Sequence, residues 1–139
     1  MAKKKESEKK INFGGYAVLE GIEYNFEKMP DLWWKIDPIT SGMELARSKF
    51  LYHNRVIEGL DGARYEQPPS PMEVAYREIA LTFGGTNMKF EDDSEVLPND
   101  AGVFQVEAVL EKLPQEIVME LWKEIGRLFP KWGPVDPND

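Results

Sequence analysis

The sequence predicts an α+β fold in which an N-terminal β-hairpin packs against about four α-helices. Residues 22–26 alternate apolar and polar side chains, as a half-buried strand does. Residues 71–83 and 117–129 instead repeat apolar side chains at spacings of three and four, the pattern of an amphipathic helix. Because an isolated two-stranded hairpin is only marginally stable, we expect the strands to pack on the helices in one domain.

The predicted hairpin joins residues 16–19 to residues 22–26. Its turn is placed at Glu20-Gly21, because glycine permits the positive φ that tight turns require. Residues 29–36 follow. They have Pro30 near their start and Pro38 just after their end, and they are predicted to form a short turn or helix.

The next predicted helix runs from Ser41 to about Gly59. Glu44 stands three residues after Ser41, which is the spacing of a capping box. From Gly59 to residue 69 the sequence predicts a loop, with Asp61-Gly62 as its turn.

A helix over residues 71–83 has both of its ends marked in the sequence. Ser70 is a good N-cap, Pro71 suits the first helical position, and Glu73 can reach back to the cap. Gly84-Gly85 follows the last apolar residue and is predicted to end the helix in a left-handed turn. Glycines after a helix face its negative end, which argues against a phosphate-binding loop.

The C-terminal half contains two more predicted helices after an aperiodic stretch, residues 84–100. One begins near Asp100 and stops before Pro114, since the residue before a proline avoids helical geometry. The other runs from Pro114 to Pro130 and places Trp122 on its apolar, core-facing side.

Composition limits the chain to one folded domain. A length of 139 residues suits a single core, and we divide the chain into a disordered basic arm (1–10), one α+β domain (11–132) and a flexible acidic tail (133–139). The absence of cysteine excludes disulfides and thiolate catalysis. No apolar run approaches the length of about 20 residues that spans a bilayer, and no secretory signal is visible, so we expect a cytoplasmic protein without a membrane partner.

Charge argues against nucleic acid as the partner. The net charge is −8, and residues 1–10 contain five lysines and two glutamates, so the remaining residues carry −11. A body this acidic repels a phosphate backbone. The basic arm alone could contact nucleic acid or an acidic protein, which stays as a third alternative.

The only histidine, His53, is the one candidate for histidine-dependent catalysis. It falls on an apolar helix stripe, and no nucleophile or orienting group is implied beside it, so a partly buried structural histidine is favoured. The acidic residues 91–95 lack the glycine and spacing of a calcium-binding EF-hand loop. We therefore expect no metal and no cofactor. The alternative function is a small metal-dependent or His-dependent hydrolase that uses His53 and the acidic residues.

Protein binding is the favoured function, because the chain is rich in tryptophan and in clustered acids. Trp33 and Trp34 are adjacent and point in different directions in any regular structure, so at least one is hard to bury and is a candidate interface anchor. The alternative is that both rings are buried under the loop 59–69. A further alternative is a homo-oligomer in which the last helix packs between two chains. The predicted partner-binding residues are Trp33, Trp34, Glu91, Asp92, Asp93, Glu95 and Trp132.

Three stretches of the chain together resemble a known family. They are YAVLEGIEYNF (16–26), PSPMEVAYREIALTFGGTN (69–87) and LFPKWGP (128–134). In layout the chain resembles small accessory proteins of tailed bacteriophages, of the tail-assembly chaperone type. The resemblance implies a non-enzymatic protein that shields a tape-measure or tail-tube protein during virion assembly, in the host cytoplasm.

Overall fold

A computed structural model describes residues 20–53 and 55–135. It is a mixed α+β structure that forms a single compact domain, as predicted from the sequence. The described chain contains a three-stranded antiparallel sheet of order β1-β2-β5, a separate two-stranded sheet of β3 and β4, and four helices. In chain order the elements are β1 (Ile22–Phe26), β2 (Met29–Ile36), α1 (Ser41–Leu51), β3 (Arg55–Glu58), β4 (Arg64–Gln67), α2 (Pro71–Leu81), β5 (Phe83–Thr86), α3 (Val103–Leu110) and α4 (Gln115–Leu128).

The N-terminal hairpin uses a different partner strand from the predicted one. β1 pairs with β2 in antiparallel register, with Tyr24 opposite Trp34. The prediction of a turn or helix over residues 29–36 is therefore wrong. Pro30 stands at the start of the strand, where its missing N–H is tolerated, and Leu32, Trp34 and Ile36 alternate toward the interior. The predicted strand at residues 16–19 lies outside the described residues, as does the basic arm.

The helix predicted from Ser41 to about Gly59 ends at Leu51. Its N-cap is Thr40, whose hydroxyl accepts a hydrogen bond from the Met43 amide (3.2 Å), so the cap predicted at Ser41 is one residue off. None of the α1 residues is fully buried, so tertiary packing does not extend the helix. Instead β3 and β4 form a hairpin where a helix end and a loop were predicted.

The start of α2 confirms the predicted cap, but its end does not follow the prediction. The Ser70 hydroxyl accepts a hydrogen bond from the Glu73 amide (3.3 Å) and donates one to the Glu73 carboxylate (3.2 Å). The helix ends at Leu81, and Gly84-Gly85 lies inside strand β5 rather than in a helix-ending turn. The missing side chain at Gly84 makes room for the carboxylate of Asp37, which a Cβ would overlap.

The core lies between the three-stranded sheet and helices α2, α3 and α4. Helix α4 has the strongest amphipathic pattern, and its buried face includes Trp122 as predicted. The buried apolar side chains of the sheet and the helices form one cluster. Among the described residues, no helix has the length and apolar character that crossing a membrane requires.

Strand β1 is joined to α4 by a polar contact at the edge of the core. The Tyr24 hydroxyl donates to the Glu120 carboxylate (2.6 Å), which also accepts from the Glu27 amide (3.0 Å). Burial, followed by the hydrogen bond to Glu120, raises the pKa of Tyr24 well above its ordinary value of 10.0. The phenol therefore stays protonated to a higher pH in the folded chain than in the unfolded chain.

This contact predicts a loss of stability in alkaline solution. Below pH 10 the phenol is protonated in both the folded and the unfolded chain, so its contribution to the free energy of unfolding is fully present. Above pH 10 the phenol of the unfolded chain ionises first, and that contribution is lost as the pH rises. We expect the free energy of unfolding to fall above pH 10 more steeply in the wild type than in Tyr24→Phe. Urea titrations of both proteins at neutral pH and above pH 10 measure this, and parallel curves would contradict it.

Candidate functional site

An apolar groove opens on the surface between strand β2, the loop after β5 and the corner between α3 and α4. Its volume is about 350 Å³, at the small end of the range for ligand pockets. Met29 and Phe90 line it although 59% and 53% of their surfaces are exposed, so apolar surface is open to solvent here. The lining residues are Met29, Leu32, Met88, Lys89, Phe90, Val96, Val109, Lys112, Leu113 and Ile117.

Residues 88–96, which we call the acidic loop, form one wall of the groove. The loop folds back on itself, because the Phe90 amide donates to the Ser94 carbonyl (2.9 Å) and the Val96 amide donates to the Met88 carbonyl (3.2 Å). Asp93, at φ 69°, takes the left-handed conformation at its tip. One wall of the groove is therefore held by backbone hydrogen bonds within the loop.

The four acids predicted as binding residues all lie exposed on this loop. Glu91, Asp92, Asp93 and Glu95 face solvent, and Lys89 stands opposite Glu95 across an isolated bridge. Hydrogen bonds from the Ser94 hydroxyl (2.5 Å) and amide (2.9 Å) lower the pKa of Asp92. Within residues 20–53 and 55–135, no group of three or more acidic, histidine or cysteine side chains could hold a metal ion.

The tryptophans predicted as surface anchors have different environments. Trp34 is 0% exposed and Trp132 is 3% exposed, so neither of these two predicted contact rings lies at the surface; the sequence leaves open which of Trp33 and Trp34 is exposed. Trp33, on the opposite face of β2, is half-buried. Strand alternation explains the split, because neighbouring side chains point to opposite sides of a sheet. Trp132 follows the end of the last predicted helix at Pro130, where no apolar repeat indicates burial.

Trp132 belongs to a polar network that ties the C-terminal segment, residues 129–135, to the body of the protein. At its centre Glu78 is 0% exposed. Its carboxylate accepts hydrogen bonds from Arg47 Nε (2.7 Å), Trp122 Nε1 (2.8 Å) and the Gly133 amide (2.7 Å). The buried carboxylate thus accepts three hydrogen bonds, one of them from a cationic side chain, which is the condition for burying a charge at tolerable cost.

Two further contacts complete this network. Arg47 Nη2 donates to the Lys131 carbonyl (3.0 Å), and Trp132 Nε1 donates to the Glu44 carboxylate (2.6 Å). Gly133 has φ +85°, and a Cβ there would overlap the backbone of Gly126 on α4. The start of the predicted flexible tail is therefore bound to the domain, and residues 136–139 lie outside the described part of the chain.

His53 lies outside both the groove and this network. It is exposed just after α1, so the expectation of a partly buried structural histidine is wrong. Its place on an apolar stripe depended on a helix that reached Gly59, and that helix ends earlier.

The sequence indicated the acidic residues that lie in one wall of the groove, but it did not indicate the residues that form the floor. The floor comes from β2, α3 and α4, which are far apart in the chain and meet only in the fold. The one available signal was Phe90, an aromatic residue directly before the acids that no predicted element would bury. Comparison of the chain with protein-family models, with curated proteins and with solved structures found no match.

Proposed function

We propose that this chain is a non-enzymatic protein-binding protein that shields an apolar segment of its partner during assembly. The observation that carries the proposal is the apolar groove, where Met29 and Phe90 are more than half exposed although they adjoin buried core residues. Exposed apolar surface of this kind is unfavourable in water and marks interaction sites. A cleft lined by Met, Leu, Val and Phe suits the apolar face of a helix or an extended segment.

Charge around the groove adds a condition on the partner. The acidic loop carries four carboxylates against the single ammonium group of Lys89. Its net negative charge attracts basic residues that flank the bound segment, and complementary charge of this kind speeds encounter and sets orientation. The proposed ligand is therefore an apolar protein segment with basic flanks.

The class of partner comes from the family resemblance. A tail-assembly chaperone shields the tape-measure protein or recruits tail-tube subunits, and either client offers apolar segments before assembly. A groove with a wall held by its own backbone hydrogen bonds suits such a temporary contact, since binding to a preorganised site needs little rearrangement. The proposed activity is thus the shielding of a tape-measure or tail-tube segment in the host cytoplasm.

Phe90→Ala is expected to abolish partner capture while leaving the melting temperature nearly unchanged. The ring is 53% exposed, so its removal costs the free protein little packing but takes an aromatic anchor from the groove. The measurement is affinity capture from the native expression context by the tagged protein, followed by mass spectrometry.

Phe104→Ala is the matched control, because Phe104 is also an exposed phenylalanine (76%) but does not line the groove. Wild type and Phe104→Ala should recover a tape-measure or tail-tube protein that Phe90→Ala does not. The same three proteins should then differ in suppressing aggregation of that purified client. Equal capture by all three, or no client above background, would overturn the proposal.

A further inference from the structure

The apolar groove leaves large side chains in water, and the chain carries a segment that could cover them. Met29 and Phe90 line the groove with more than half of their surfaces exposed. Exposed apolar side chains of this kind are unfavourable until another surface covers them. Residues 1–19 lie outside the described part of the chain, and every molecule brings them to its own groove.

The composition of residues 1–19 matches what the groove requires, an apolar stretch with a basic flank. Ile11 and Phe13 follow directly after a stretch, residues 1–10, that contains five lysines and two glutamates and so carries +3. Four carboxylates of the acidic loop face two ammonium groups in the groove lining, Lys89 and Lys112, which leaves a net charge of −2 on the groove. Charges of opposite sign on the two surfaces favour their encounter and set their orientation.

The length of the segment is sufficient for it to reach the groove. Strand β1 begins at Ile22, opposite Ile36, and ends at Phe26, opposite Met29 in the groove lining. The seven residue steps from Ile36 to Met29 along β2 cover roughly 23 Å. Residues 11–20 in extended form span up to roughly 33 Å. Phe13 can therefore reach the groove from the start of β1.

The hairpin predicted from the sequence would direct the segment to the correct end of the sheet. Within the described residues β1 is an edge strand, because the sheet order is β1-β2-β5. A strand over residues 16–19 that turns at Glu20-Gly21 runs antiparallel to β1 and returns toward Phe26, the end that adjoins Met29. Gly14-Gly15 permits a bend at that point. Residues 11–13 would then adjoin the groove, with the lysines next to the acidic loop.

We propose that residues 3–13, which we call the covering segment, occupy the apolar groove of their own chain when no client is bound. The inference rests on the proposed function, because it gives the client-binding groove a built-in competitor. A tethered ligand faces its site at an effective concentration on the order of 1 mM. A client must therefore displace the covering segment, which keeps the apolar groove out of water between clients.

A disulfide test locates the covering segment in the full-length chain, which contains no cysteine of its own. Asn12→Cys is combined with Lys112→Cys, which lines the groove, or with Gln105→Cys, an exposed residue of α3 that does not. Both pairs keep Phe13 and Phe90. After mild oxidation, mass spectrometry of tryptic peptides should show a link between residues 12 and 112 within one molecule and no link between residues 12 and 105.

Two results would overturn the proposal. One is equal linking of the two pairs, and the other is a link that joins two chains into a dimer on a non-reducing gel, since the occupant would then be a second copy. Client capture by the wild type is measured separately. An intramolecular link without a captured client would support the covering segment and contradict the proposed function, whereas a captured client without the link would contradict the covering segment alone.

Phe13→Ala in the full-length chain should open the groove to an added ligand. The probe is a fluorescein-labelled synthetic peptide of residues 1–19, and Asn12→Ala is the matched control. A groove that is covered about nine-tenths of the time binds an added peptide about tenfold more weakly than an open groove. Fluorescence anisotropy should therefore give a Kd about tenfold lower for Phe13→Ala than for wild type and Asn12→Ala. Equal Kd values for the three proteins, or no binding by any of them, would overturn the proposal.

Discussion

Glu78→Ala is expected to lower the free energy of unfolding by about 3 to 5 kcal/mol, the cost of removing one partner from a buried ion pair. The side chain is completely buried and accepts hydrogen bonds from Arg47, Trp122 and the Gly133 amide. Alanine leaves these three donors without their acceptor and opens a cavity between α2 and α4. In a small domain this loss is a large share of the total stability.

Urea denaturation of wild type, Glu78→Ala and Glu107→Ala measures the effect. Glu107 is the matched control, because it pairs with Arg77 (3.1 Å) on α2 but lies at the edge of the core, where its side chain is 17% exposed. Its loss should cost much less. A stability of Glu78→Ala close to that of Glu107→Ala would contradict the central role of the buried carboxylate.

The same substitution should release the C-terminal segment before the domain unfolds. Gly133 loses its acceptor and Arg47 loses the carboxylate that holds it against the Lys131 carbonyl. Tryptic cleavage after Lys131, followed by mass spectrometry under native conditions, should be faster in Glu78→Ala than in wild type. An unchanged cleavage rate would show that other contacts hold the segment.

Trp34→Ala is the second large effect, with an expected loss of about 3 to 5 kcal/mol for truncating a buried aromatic ring. The ring is 0% exposed and packs edge-on against Phe83, with the ring centroids 5.0 Å apart. The melting temperature should therefore fall sharply, and any loss of partner binding would follow from unfolding.

Trp34→Phe and Trp33→Ala separate packing from binding. Among the described residues the Trp34 indole N–H has no acceptor, so phenylalanine removes an unpaired polar group while keeping a ring against Phe83. Its cost should be clearly smaller than that of alanine, and Trp33→Ala should also cost less because Trp33 is only half-buried. Thermal unfolding of the three variants measures this order. A Trp34→Ala protein as stable as Trp33→Ala would contradict the buried position.

Several elements could be predicted from the sequence because their signals are local. Ser70 and Pro71 mark the start of α2 by the hydrogen bonds and φ angle that a first turn requires, and the structure has the helix begin there. Helix α4 was predictable because its apolar spacing matches the helical repeat over four turns. The acidic loop could be placed outside regular structure because its apolar residues follow neither the helical repeat nor the alternation of a strand.

Strand β2 and the β3–β4 hairpin were not predictable by the same reasoning. Two prolines around residues 29–36 indicated a break, although Leu32, Trp34 and Ile36 alternate as a strand does. Residues 55–58 continued an apolar stripe that α1 does not follow. A strand is stabilised by its neighbour across the sheet, and the neighbours of β2 are β1 and β5, of which β5 is some 50 residues away in the chain.

The sequence by itself determined the fold class, the starts of α2 and α4 and the acidic character of the loop, because these depend on residues within one or two turns of each other. Only the tertiary structure decided that Trp34 and Trp132 are buried, that Glu78 binds the C-terminal segment, and that four separate parts of the chain form the groove. Burial depends on what packs against a side chain, and that partner is set by the whole fold rather than by neighbours in sequence.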